Sequence, residues 1–185
     1  DLFSAFSENA HPMATLSAAV TALSSFYFDH LHINSEAEYY EMAKRLIAKM
    51  PTIAAYSYRH SVGIPFVQPD LDRSFTENFL YMMRAFPGGK MRLRADGHEE
   101  IKDVEIRALD AIFSLHADHE QNASTTTVRA VASTGAHPYV AISSGISALW
   151  GRAHGGANES VIEQLWAMGN AKNVDQFIAR AKDPN

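Results

Sequence analysis

His154 is followed by Gly155 and Gly156 and sits among small residues, in the stretch Leu149-Trp150-Gly151-Arg152-Ala153-His154-Gly155-Gly156-Ala157-Asn158-Glu159. Two glycines after a histidine let backbone approach a ligand more closely than a Cβ would permit. The residues that follow read as an amphipathic helix. If it starts near Asn158, its unpaired N–H groups and positive dipole end point at the same spot and favour a neutral imidazole. A neutral imidazole can donate one hydrogen bond to a developing enolate oxygen. The plainer reading is a histidine packed at a helix start. A third reading, the His-Gly-Gly oxyanion loop of esterases, requires a G-x-S-x-G nucleophile elbow. No such elbow is present, and Ala141-Ile142-Ser143-Ser144-Gly145 is the nearest approach.

A second polar cluster, His116-Ala117-Asp118-His119-Glu120-Gln121-Asn122, lies upstream. Histidines three apart share a helix face, so a metal site is chemically conceivable. The spacing matches no specific metal motif, however, and no metal is expected. Packed histidines at a helix end and an anion or substrate site remain open, the latter because Asn122, Ser124 and Arg129 add donors.

The elements that must position these clusters are helical. From Met13 to Tyr27 apolar residues recur at helical spacing. Ser35 with Glu38, and Ser74 with Glu77, have the form of capping boxes. Pro51 suits the first turn of a separate helix carrying Ile53 to Tyr58. Phe75, Phe79, Met82-Met83 and Phe86 form a stripe that reads as core packing. Residues 87–100 read as a charged surface excursion. Val104, Ala108, Ala111-Ile112 and Leu115 then make a helix ending at the His116 cluster. Ser124 to Val128 could be a strand on propensity alone. Val161-Ile162, Leu165-Trp166 and Met168 form a further helical stripe stopped by Gly169, and Asn173 caps a last helix. With eight or nine helical segments and no convincing alternation, the fold class is all-α.

Composition narrows the remaining classes. The 185 residues are 46% hydrophobic and 20% charged, the balance of a folded globular chain. No run approaches the ~20 apolar residues of a membrane span, and no membrane partner is expected. The net charge of -5, with scattered Lys and Arg, argues against a nucleic-acid partner. The absence of cysteine excludes disulfides, thiolate metal sites and cysteine nucleophiles. Nine histidines are an enrichment that points to a site.

The segments Leu115-His116-Ala117-Asp118-His119-Glu120-Gln121-Asn122-Ala123-Ser124-Thr125, Ala148-Leu149-Trp150-Gly151 and His154-Gly155-Gly156-Ala157-Asn158-Glu159 resemble the citrate synthase family, in its bacterial NADH-regulated branch. So do Arg45-Leu46-Ile47-Ala48-Lys49-Met50-Pro51-Thr52, Gly63-Ile64-Pro65-Phe66 and Glu77-Asn78-Phe79-Leu80-Tyr81-Met82-Met83. The resemblance spans the chain outside the 87–100 excursion. It implies a multi-helical fold with much of a large domain over 1–155 and the start of a small domain over 156–185. It also implies a bacterial cytoplasmic enzyme, a homodimer or hexamer, that condenses acetyl-CoA with oxaloacetate and water to citrate and CoA. This is the entry step of the tricarboxylic acid cycle. Acetyl-CoA is a substrate, and no cofactor is implied. His154 matches the catalytic histidine that stabilises the enol or enolate. His119 and Asn122 match oxaloacetate contacts, and Ala153, Gly155 and Gly156 lie where the family approaches CoA. Tyr27, Arg45 and Lys49 match positions that bind the allosteric inhibitor NADH.

Two departures accompany the resemblance. The cysteine that the branch carries after its Met-Met helix is replaced by Pro87-Gly88-Gly89. The family's Gly-His-Arg motif, which supplies the histidine that polarises oxaloacetate, is absent, as are its later general-base aspartate and carboxylate-binding arginines. The expectation is therefore a central fragment that does not turn over alone. Its alternatives are a 2-methylcitrate synthase using propanoyl-CoA and a shortened, non-catalytic paralogue acting in binding or assembly.

Overall fold

The computed structural model describes residues 2–27, 35–88, 90–91, 101–118, 120–170 and 173–182. Among them are a 3-10 turn, Phe3–Ala5, and eight α-helices: α1 Pro12–Phe26, α2 Glu36–Ser61, α3 Phe75–Arg84, α4 Asp103–Leu115, α5 Ala123–Ala132, α6 Pro138–Leu149, α7 Gly155–Met168 and α8 Val174–Ala181. The described residues contain no strand beyond a single Phe86–Lys90 bridge, so the all-α expectation holds. The 87–100 excursion lies largely outside them.

Local chemistry sets most helix starts. Ser35 Oγ accepts from Glu38 N at 3.3 Å, and Ser74 Oγ from Glu77 N at 3.4 Å, the serine half of each expected capping box. Both α1 and α6 begin His-Pro. The imidazole Nδ1 of His11 accepts from Met13 N at 3.1 Å, and that of His137 from Tyr139 N at 3.3 Å. Proline at the first helical position gives up a donor that would be unpaired there in any case.

Two expectations give way to packing. Pro51 does not open a new helix but lies inside the 26-residue α2. An interior proline costs about 3 kcal/mol. Burial of Met42 and Leu46 before it, and of Ile53 and Ala55 after it, outweighs that cost and keeps one axis. The Ser124–Val128 stretch is helical despite its β-branched residues, because Asn122 Oδ1 accepts from Thr125 N at 2.9 Å and starts α5 there.

The main core joins Val20 and Ala19 of α1, Met42 and Leu46 of α2, and Tyr139 and Ile146 of α6. The α1–α6 contact is polar at its centre: Thr21 Oγ1 donates to Ser143 Oγ at 2.6 Å, and Ser143 Oγ donates to Ser17 O at 2.8 Å. A second core gathers Ala55, Val67, Tyr81, Met82 and Ala85. Beside it Arg59, only 1% exposed, donates to Pro65 O, Met82 O, Met83 O and Ala85 O. The guanidinium thus closes the C-terminal end of α3, where helix carbonyls lack partners. Burial pushes it below its ordinary range.

The later helices are less covered than their patterns predict. No residue of α4 or α7 is fully buried. Leu115 is 75% exposed and Trp166 78%. Of the Met and Phe stripe on α3, Met82 is buried, while Phe75 remains exposed.

Candidate active site

His154 is the N-cap of α7, which begins at Gly155 rather than near Asn158. The earlier start follows from the turn. His154 N donates to Gly151 O at 2.9 Å, Gly156 N donates to the same carbonyl at 3.2 Å, and Ala157 N donates to His154 O at 3.1 Å. The chain closes so tightly that a Cβ on Gly155 would stand 2.4 Å from Leu149 O, and one on Gly156 3.2 Å from Gly151 O. Both glycines therefore have an intramolecular reason: the turn packs against its own preceding backbone. Ala153 and Arg152 are exposed on this turn.

The half-buried His154 ring is anchored from α5. Its Nε2 lies 2.8 Å from Ser124 Oγ, and the same oxygen lies 3.0 Å from Gly145 O of α6. A serine hydroxyl has one hydrogen. If it goes to Gly145 O, His154 must donate from Nε2, and Nδ1 of the neutral ring is an acceptor. If it goes to Nε2, His154 carries its hydrogen on Nδ1 and can donate there. The hydroxyl orientation and the ring tautomer are therefore coupled: the tautomer that accepts at Nδ1 goes with the Gly145 bond, and the tautomer that donates at Nδ1, reached by exchanging the ring proton from Nε2 to Nδ1 through solvent, goes with the hydroxyl turned to Nε2.

Close helix packing places Ser124. A Cβ on Gly145 would lie 2.5 Å from Val128 Cγ2 and 3.5 Å from Ser124 O, so α5 and α6 cross too closely for a side chain there while Val128 keeps its place. The sequence marked Ser124 only as a further donor. The side chain it touches became visible only in three dimensions.

In the second cluster α4 stops at Leu115 and His116 is its C-cap, with Nδ1 2.8 Å from Ile112 O. The helical face on which a His116–His119 pair would sit is therefore lacking. His119 lies outside the described residues. Glu120 takes a positive φ of 59°, uncommon for a residue with a side chain. Its N–H donates to Asp118 Oδ1 at 3.1 Å, which holds the turn. Asn122 is half-buried and uses its carbonyl oxygen to cap α5, a contact that leaves its amide hydrogens uncommitted. Arg129 donates to Gln121 Oε1 at 2.8 Å, and Gln121 Nε2 donates to Thr126 Oγ1 at 3.2 Å.

The structure also brings together Tyr27, Arg45 and Lys49. The Arg45 guanidinium carbon lies 5.3 Å, and Lys49 Nζ 5.4 Å, from the centre of the Tyr27 ring. Two cations thus lie against one aromatic ring between the end of α1 and the middle of α2. Tyr139 lies 5.8 Å from Tyr27, ring centre to ring centre.

An all-helical chain that places a serine-anchored histidine at the start of a helix, on a tightly closed glycine turn, has the layout of a hydrogen-bond or proton-transfer site. The chain belongs to the citrate synthase family: residues 1–185 match the family described as citrate synthase, C-terminal domain. A citrate synthase from Helicobacter pylori is 54% identical over all 185 residues, which correspond to 43% of that protein. Citrate synthase from Pyrobaculum aerophilum superposes with a TM-score of 0.77 at 35% identity, over 96% of this chain and 43% of that one. Citrate synthase from Thermoplasma acidophilum, solved as a ternary complex with carboxymethyl coenzyme A and oxaloacetate, superposes with a TM-score of 0.78 at 26% identity, over 95% of this chain and 43% of that one. The chain spans less than half the length of the relatives it matches.

Proposed function

We propose that these residues form the enol-stabilising part of a citrate synthase, which condenses acetyl-CoA with oxaloacetate and water to give citrate and CoA. The observation that carries the reading is the His154 Nε2–Ser124 Oγ contact at 2.8 Å, which directs the chemistry to Nδ1. When the acetyl methyl loses a proton, negative charge collects on the thioester oxygen. A hydrogen on His154 Nδ1 donated to that oxygen stabilises it.

The magnitudes favour that state once substrate is bound. Turning the Ser124 hydrogen from Gly145 O to Nε2 gives up a neutral hydrogen bond, about 0.5–1.5 kcal/mol, whereas a bond to a charged oxygen is worth about 1.5–3 kcal/mol. The empty site keeps the Gly145 bond, and the enolate draws the donor tautomer.

In this reading the amide of Asn122, with His119, contacts oxaloacetate, and the backbone at Ala153, Gly155 and Gly156 receives CoA. The large domain runs to residue 155 and the small domain begins at 156. The Tyr27–Arg45–Lys49 group supports NADH control, since two cations on one ring suit a nucleotide phosphate. Membership of the NADH-regulated branch, a homodimeric or hexameric assembly, a bacterial cytoplasmic setting and a place at the entry to the tricarboxylic acid cycle complete the proposal. No observation favours propanoyl-CoA over acetyl-CoA.

The test is a full-length citrate synthase carrying these 185 residues with His154→Asn. Citrate formation falls by at least about a hundredfold, as for loss of an oxyanion donor, while oxaloacetate affinity is kept. Turnover within a few-fold of the parent would remove His154 from the chemistry.

A further inference from the structure

His11 meets the chain on both sides of the His154 turn. Its ring stacks on Trp150, with centroids 4.9 Å apart and planes at 27°. Trp150 is the C-cap of α6 and the last residue before the turn. The Nε2 of the same ring lies 4.0 Å from Glu159 Oε1, just over one turn into α7. The ring is not free to swing, because its Nδ1 accepts from Met13 N at 3.1 Å and caps α1. With that lone pair engaged, a neutral ring carries its hydrogen on Nε2, the edge that faces Glu159.

This matters because α7 has little else to hold it. Helix pairs with substantial contact among the described residues join α1 through α6, and none includes α7. Its apolar residues Val161, Leu165 and Trp166 are exposed. The N-terminus of α7, and with it the His154 ring, is therefore fixed by few tethers. One is Ser124, acting on the ring itself. Another is the His11 face, stacked on Trp150 before the turn and 4.0 Å from Glu159 after it. Losing the second would let the α6–α7 turn shift against α5 by enough to break a 2.8 Å contact, whose strength falls steeply with distance and angle.

We infer that His11 is a positioning residue for His154, holding the α6–α7 turn in register with Ser124 through the stacked Trp150 ring. The inference rests on the proposed role of His154 only for its catalytic consequence, since the geometry it concerns can be read without turnover.

Its two duties are separable. Asparagine keeps a side-chain acceptor for the α1 cap but removes the ring, whereas phenylalanine keeps a ring to stack and removes the acceptor. The measurement is the pair of 15N resonances of the His154 imidazole in the 185-residue chain, together with the unfolding midpoint. A ring held on Ser124 shows two well-separated nitrogen shifts, and a released ring averages toward one value. In His11→Asn the separation collapses while the midpoint stays close to that of the parent. In His11→Phe the separation persists although the midpoint falls. Trp150→Leu, which removes the ring from the other side, reproduces the collapse. Separated resonances in His11→Asn or in Trp150→Leu would overturn the inference, and so would equal collapse in His11→Asn and His11→Phe, which would leave His11 only its cap. None of these outcomes depends on citrate formation, so a failed inference and a failed functional reading remain distinguishable.

Discussion

Ser124 and His154 belong to different helices and share one hydrogen bond, and that bond makes the site predictable at the residue scale. Ser124→Ala removes the partner that lets Nδ1 carry its hydrogen. A bond worth about 1 kcal/mol corresponds to a five- to tenfold effect. In a full-length enzyme bearing this segment, turnover falls by about that factor and the KM for oxaloacetate holds, as steady-state kinetics can check. Asn122 separates stability from substrate contact in the same way. Asn122→Ala removes the α5 cap and lowers stability by about 1 kcal/mol, whereas Asn122→Asp keeps an acceptor and most of that stability. Denaturant unfolding of the two variants is the comparison.

At the scale of elements, the α5–α6 crossing is set by Gly145. A methyl group there would stand 2.5 Å from Val128 Cγ2, so Gly145→Ala forces the helices apart at a cost of about 1–3 kcal/mol, despite alanine's higher helix propensity. Val128→Ala in the same chain relieves the clash, and the double mutant recovers part of the loss in a thermodynamic cycle. The pairing of α1 with α6 predicts a pH response. Tyr139 is 0% exposed, and its hydroxyl has no hydrogen-bond partner among the described residues. Burial first, and the neighbouring Tyr27 next, push its phenol above the usual value, against the opposing pull of Arg45. A phenol raised in the folded state contributes fully below its unfolded value, near 10. That contribution is lost as pH rises through the folded value. Tyr139→Phe therefore flattens the alkaline fall in stability, with Tyr56, also raised by burial, left as a second contributor. At neutral pH the substitution is neutral or stabilising, because an unpaired buried hydroxyl is removed without loss of shape.

Across the whole molecule, the proposed function makes the site that these residues build one part of a larger constellation. The resemblance assigns the aspartate that takes the methyl proton, and the histidine that polarises oxaloacetate, to motifs that the 185 residues do not contain. If His154 stabilises the enol as proposed, it has nothing to act on without a base to form that enol. The purified chain therefore forms no citrate from oxaloacetate and acetyl-CoA, and product formation above background in a coupled assay would contradict this. The exposed apolar residues of α4 and α7 give the same chain a measurable surface: it binds an environment-sensitive hydrophobic dye, and Trp166→Glu with Leu165→Glu lowers the signal with little change in unfolding midpoint.

Local chemistry determined by the sequence carried most of the secondary structure. Ser35 and Ser74 cap their helices, Gly169 ends α7 with a positive φ of 66°, and no alternating pattern competes with the helical period. The residue spelling of the His116–Asn122 and Leu149–Glu159 segments was enough to indicate the family. Tertiary structure alone decided the rest, because each remaining question is one of distance between segments remote in the chain. Periodicity could not show that Pro51 sits inside one long helix, since the burial on both sides that tolerates it comes from α1, α3 and α6. Propensity read Thr125–Thr127 as possible strand, and Asn122 overrode it with one capping bond. Nor could spacing reveal that Ser124, Gly145 and His154 meet, or that His11 lies against Trp150. The His154 tautomer follows from a single shared hydroxyl hydrogen, and only the packing of α5 against α6 puts that hydroxyl within reach.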